Sequence, residues 1–256
     1  MRAVLFAASI ALALASRSAL AADLYPLKAP TPPPSWTGCY VAAGIGYGMW
    51  SQDHYTESFP GLVPETDTGN QGGRGWLGRL GGGCDYQISP SVIVGALADY
   101  DAMSIHGGVQ DQFTTFAGDE KETAAWYAGA RIGYLVSPAL LTYVDGGFTQ
   151  TRYNQINLDS AIGGPITDFV APHTYNGWFL GGGTEYALNF GWLPMRGLFW
   201  RNEYRISSYN SADLPILVSA TGAPEGNAYH VQNYVQTATT SLIWRFNFGG
   251  PSCCAQ

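Results

Sequence analysis

From Trp36 to Phe248, apolar and polar positions alternate with a period of two, and glycines and aromatic residues recur throughout the run. Such alternation in segments of about ten residues or more is the mark of strands with two different faces. Eight segments can be cut: 36–50, 75–88, 92–103, 123–136, 140–153, 175–189, 195–209 and 231–248. Their connections alternate in length. Long ones at 51–74, 104–122, 154–174 and 210–230 are separated by the turns Ser89-Pro90-Ser91, Ser137-Pro138-Ala139 and a third from Phe190 to Pro194. This rhythm predicts an all-β fold, an eight-stranded antiparallel transmembrane up-and-down β-barrel with four long outer loops and three short periplasmic turns.

Charge placement tells which face is which. Within segments two to eight, strand ends apart, the ionisable residues are Arg79, Asp85, Asp99, Asp101, Arg131, Asp145, Glu185, Arg201, Glu203, Arg205 and Arg245, all on one parity. The opposite parity carries Trp76, Leu80, Tyr100, Trp126, Ile132, Phe148, Trp178, Trp200 and Trp244. A charged face turned to the lumen and an apolar face turned to lipid is the expected barrel arrangement. Arg152 and Arg196 break the parity at strand ends, where a long side chain reaches the interface. Thr142, Thr184 and Asn202 are polar exceptions on the lipid face.

Composition agrees with this. Charged residues make up 12% of the 256 residues, about half the usual share, and aromatic residues 14%. A surface built for water carries lysine, and this chain has only Lys28 and Lys121. The net charge of −7, with no basic cluster, argues against nucleic-acid partners. Met1-Arg2, the apolar run Ala3 to Ala15 and Ala19-Leu20-Ala21 read as a signal peptide over residues 1–21, cut after Ala21. Residues 22–35 form a Pro-rich periplasmic lead-in, 36–248 the barrel and 249–256 a tail. No later stretch is long and apolar enough for a membrane helix, so a membrane-embedded mature chain must be a closed barrel. The localisation that follows is the outer membrane of a Gram-negative bacterium.

Several strings carry a family likeness. WTGCYVAAGIGYG at 36–48, ADLYPLKAP before it, GALADYD at 95–101, GGGTEYAL at 181–188 and SLIWRF at 241–246 stand in a fixed order over almost the whole mature chain. Together they resemble a family of alphaproteobacterial outer-membrane β-barrels, a branch of the small opacity-protein and outer-membrane-protein-A-like group. The resemblance implies that Leu242, Trp244, Phe246 and Phe248 form the signal read by the barrel-insertion machinery. Three departures stand out: Leu97 where the family often has Glu, Cys39 in place of an aromatic, and a tail with Cys253-Cys254 beyond the usual terminal Phe.

Candidate chemistry is sparse. An eight-stranded interior is only wide enough for its own side chains, so the lumen charges form a polar plug or, alternatively, a narrow pore. His54, His106, His173 and His230 fall one to each long loop, a speculative metal or haem set with no short spacing behind it, although the family includes haem-binding members. Twelve of the 19 acidic residues lie in loops, among them Asp119, Glu120 and Glu122, and suit divalent cations or lipopolysaccharide phosphates bridged by them. Cys39 and Cys84 share the lipid-facing parity on adjacent strands and form a disulfide if register sets them opposite. A lipid A-modifying enzyme built on His230 with Ser207 or Ser208 is the rival from another class. The expectation is a non-enzymatic, cofactor-free envelope protein with a structural or surface-interaction role. Its expected partners are outer-membrane lipids, lipopolysaccharide, the insertion machinery and an unidentified extracellular ligand. The alternative is a narrow porin-like channel.

Overall fold

A computed structural model describes residues 36–110, 117–159, 164–188 and 197–246. The signal peptide, the lead-in, the Phe190–Pro194 turn, Phe248 and Cys253-Cys254 lie outside the described residues. Among the described residues eleven strands are present: β1 Gly38–Ser58, β2 Gly69–Gln87, β3 Val92–Gln110, β4 Ala117–Ser137, β5 Leu140–Tyr153, β6 Ile156–Asp159, β7 Ile166–Val170, β8 His173–Ala187, β9 Leu198–Tyr209, β10 Ala212–Val218 and β11 Pro224–Phe246. Among the described residues no helix is long and apolar enough to cross a membrane.

Antiparallel pairing runs β1-β2-β3-β4-β5-β8-β9-β11, and β11 returns to β1 from Cys39↔Phe246 to Ser58↔Asn227. The ring is therefore closed. The expected number of eight corresponds to this ring and not to the strand count, because three strands are interrupted. β5 stops at Asn154-Gln155 and the chain resumes as β6; β7 and β8 are parted by Ala171-Pro172; β9 and β10 by Asn210-Ser211. The resumed pieces pair β4–β6, β6–β7, β7–β10 and β10–β11. They close a second ring tier above β5, β8 and β9.

The four long outer loops need the same correction. Much of 51–74, 104–122, 154–174 and 210–230 is strand, so the barrel wall rises well past the segment ends expected from sequence. All four histidines consequently sit on strands (β1, β3, β8 and β11) and not in loops.

In the lower tier, outward positions are apolar. Ile45, Trp76, Leu80, Ile132, Val144, Trp178 and Leu242 are all exposed, as a lipid-facing band requires. Thr142, Thr184, Asn202 and Thr240 are lateral neighbours across β5, β8, β9 and β11, so the polar exceptions form one continuous row on that face. Above the band the pattern inverts. Asp53, Arg74, His106 and Asp119 face out, while Trp50, Ile105, Val109, Ile156, Leu158, Val170 and Ile216 are buried inside. The outer tier is thus built like a water-soluble barrel standing on a membrane one.

Two glycines make the outer core possible. The Trp50 indole lies against Gly73 and Gly107, where an added Cβ would come within 2.4 Å and 2.5 Å of the ring. Ile216 in β10 has no exposed surface. Ile216→Ala should therefore cost about 2–5 kcal/mol locally. The expected result is rapid protease cleavage near 210–223 in refolded barrel that still migrates faster unboiled than boiled; unchanged resistance would show that the outer tier does not depend on this contact.

Candidate functional site: the filled lumen and its outer rim

Antiparallel pairing brings the eleven charged positions together inside the ring, where every one is buried. They divide into two groups by height. Nearer the periplasmic end, the Arg131 guanidinium donates to Asp85 from Nε at 2.8 Å and Nη2 at 2.5 Å, and to Glu185 Oε1 from Nη1 at 2.5 Å. Arg201 donates to the same Glu185 oxygen, and Arg245 bridges Asp85 and Glu185 at 2.5 and 2.7 Å. The Tyr40 ring lies under all three guanidiniums, 4.8–4.9 Å from each. Charge-assisted bonds of this density are what make buried ions tolerable.

The second group lies higher. Arg79 donates to Asp101 from Nε and Nη2, both at 2.6 Å, and to Glu203. Arg205 contacts Asp99 and Asp145 at 2.7 Å and Glu203 at 2.9 Å. Tyr143 links the groups by donating its hydroxyl to Glu203 Oε2 at 2.6 Å. Apolar clusters cap the network at both ends: Trp36, Ile93, Leu141, Phe199 and Ile243 below, and Trp50, Ile105 and Tyr153 with their neighbours above. Leu97 belongs to the upper cluster, which gives an apolar contact where a carboxylate was expected from the family pattern.

Two buried carboxyls escaped the sequence reading. The register of β4 slips between Glu122 and Ala124, and the inward parity changes from odd to even there. Glu120 and Glu122 therefore point inward above the lipid-facing band. Gln52 donates to Glu120 at 3.1 Å and Thr151 to Glu122 at 2.6 Å; no arginine reaches either carboxyl among the described residues. Burial pushes Glu120 up to about 7 and Glu122 up to about 8. His173 stacks on Tyr153 with its Nε2 3.8 Å from Glu120, and burial lowers its pKa, so the pair is not a fixed salt bridge at neutral pH.

The four histidines are held separately. His54 meets the Tyr229 ring edge-on and its Nε2 lies 3.3 Å from the Gln110 carbonyl. His106 faces out and bonds Ser104. His230 stacks on Tyr55, with Nδ1 2.6 Å from Asp213 Oδ1. Ser207 and Ser208 are register partners of Val235 and Tyr234, further down β11 than His230, so the serine–histidine pairing expected for an enzyme is not formed. Cys39 and Cys84 are opposite one another in register and joined by a 2.02 Å S–S bond on the lipid-facing side. Leu242 and Trp244 are exposed on the lipid face of β11, and Phe246 ends that strand.

A closed antiparallel ring with a lipid-facing apolar band and a charged, filled interior defines an integral outer-membrane β-barrel. The chain belongs to the family described as outer membrane protein beta-barrel domain, which it matches over residues 7–246. It is 30% identical over 200 residues to the 31 kDa outer-membrane immunogenic proteins of Brucella melitensis and Brucella suis, covering 72% of this chain and 80% of each relative. Among solved structures it is similar to the outer membrane protein OprG of Pseudomonas aeruginosa, with 13% identity, a TM-score of 0.49, and coverage of 84% of this chain and 99% of that one. The protein is placed accordingly in the outer membrane of a Gram-negative bacterium.

Two outcomes are expected from this geometry. Glu185→Gln leaves three arginines with Asp85 alone and should cost about 3–5 kcal/mol, read as a lower urea midpoint for unfolding in detergent. The second concerns pH. The native carboxyls of Glu120 and Glu122 hold protons that the unfolded chain has released, so stability falls as pH rises from about 4.5 to about 8. Glu122→Gln should flatten the upper part of that fall, measured as unfolding midpoint against pH; an unaltered slope would place the titration elsewhere.

Proposed function

We propose that the protein is a structural and surface-contact element of the outer membrane, anchored by its lower tier and presenting the rim of its upper tier to the outside. The observation that carries this reading is the filled lumen: paired guanidiniums and carboxylates across the middle, with aromatic and aliphatic side chains packed above and below them. An interior used in this way leaves the outward face of the upper tier as the working surface. The Brucella relatives carry the name immunogenic, which fits a surface met by host antibodies. Lipopolysaccharide is the proposed neighbour of the outer edge of the lipid-facing band, where the outward side chains change from Trp126 and Trp178 to Lys121, Arg152 and Asn176.

A narrow porin is the competing reading, and the two make opposite forecasts. Refolded protein in planar bilayers should give no ohmic single-channel steps, while its circular dichroism and heat-modifiable migration report a folded barrel. Reproducible steps from such material would overturn the plugged-barrel reading.

A further inference from the structure

The outer rim holds a group of side chains that neither the lumen network nor the lipid-facing band uses. On β1, β11 and β10, Tyr55, His230 and Asp213 are direct lateral neighbours. The Tyr55 ring lies nearly parallel to the imidazole at 4.7 Å, and Asp213 Oδ1 fixes Nδ1 at 2.6 Å. Glu57, two residues beyond Tyr55, completes the group. One donor atom from each of Glu57, Asp213 and His230 lies within 4.8 Å of the other two.

Glu57 is the telling member. It is only 2% exposed, and its Oε1 has no hydrogen-bond partner. Neither Glu57 nor Asp213 is ion-paired with a lysine or arginine among the described residues. A buried carboxylate oxygen left open beside a second carboxylate is costly unless a cation or a proton stands between them. The lumen answers the same problem with guanidiniums; among the described residues none pairs with these rim carboxyls.

We propose that Glu57, Asp213 and His230 form a binding site for a divalent transition-metal ion of the zinc class. Three protein ligands of mixed nitrogen and oxygen type are a recurrent zinc set, with further positions left to water. Imidazole beside carboxylate favours such metals over calcium, which seeks six to eight oxygens. Bonds of about 2.0–2.2 Å set tetrahedral ligand atoms about 3.3–3.6 Å apart, so separations of up to 4.8 Å close by side-chain rotation, while the 2.6 Å contact of Nδ1 with Asp213 opens or is kept with Nε2 turned to the ion. His230 and Asp213 have about a third of their side-chain surface exposed (29% and 37%), so the ion enters from outside. Bound there, it ties β10, a resumed strand of the upper tier, to the two strands that close the ring.

The site is distinct from the four-histidine set considered from sequence, of which it uses His230 alone. Calorimetry with Zn²⁺ as the sole titrant, on the refolded full-length mature chain carrying Cys253→Ser and Cys254→Ser, tests it without competing thiols. One saturable zinc per chain is expected. His230→Ala and Asp213→Asn should each weaken it by more than the roughly 10–100-fold typical of losing an outer-shell partner, and His106→Ala should leave it unchanged. Ca²⁺ in place of Zn²⁺ should give no matching heat. Each variant is first shown to be folded by its heat-modifiable migration, so lost binding is not lost structure. Zinc should also slow protease cleavage at 210–223 in the parent and not in Asp213→Asn. Absence of saturable binding in the parent, or parental affinity in both His230→Ala and Asp213→Asn, would overturn the proposal.

Discussion

Pairing of the first ring strand with the last, from Cys39↔Phe246 to Ser58↔Asn227, is the contact on which everything else rests. In hydrocarbon each unpaired backbone amide or carbonyl costs several kcal/mol, and an open edge would expose a whole row of them. Closure removes both edges at once. It also fixes the interior, because once β1 and β11 meet, inward side chains from all ring strands converge in a space that only they can fill. The ion network follows from that confinement. Arg79–Asp101 and Arg201–Glu185 are ladder neighbours, whereas Arg79–Glu203, Arg131–Asp85 and Arg245–Glu185 join strands that are not adjacent and that the closed ring brings face to face.

The network is not symmetric along the barrel. Its lower group sets three arginines against two carboxylates, and its upper group sets two arginines against four. Above these, Glu120 and Glu122 add carboxyls that no arginine reaches among the described residues; burial raises their pKa values, which favours proton uptake over ionisation there. A neutral Glu122 accepting the Thr151 hydroxyl in apolar surroundings costs far less than an ion there.

Much of this was legible from residue order. The one-parity rule for Arg79 through Arg245 works because lipid forces charge inward, and it marks the lower tier strand by strand. Above the lipid-facing band the rule reverses, since water on the outside calls for Asp53, Arg74 and Lys121 there and leaves Trp50, Val109 and Ile216 for the interior. Under the lower rule those stretches look like loops, and His54, His106 and Glu122 look like loop residues with them. The slip at Thr123 hides Glu120 and Glu122 further, by moving them to the parity that lower down faces lipid. No composition signal marks the meeting of Glu57 with Asp213 and His230, which are far apart in sequence and joined only by the register of three strands. The breaks are partly visible in Pro172, which has no amide hydrogen to give a ladder, but Asn154-Gln155 and Asn210-Ser211 carry no such mark.

The three interruptions in the wall fall on neighbouring parts of the ring, while β1 to β4 and β11 run through unbroken. This gives the barrel a seam. Damage, cleavage or sequence drift in β6, β7 and β10 stops at the seam, because the ladder below it is complete without them. The upper tier can thereby vary in sequence while the closed ring below it keeps its own ladder.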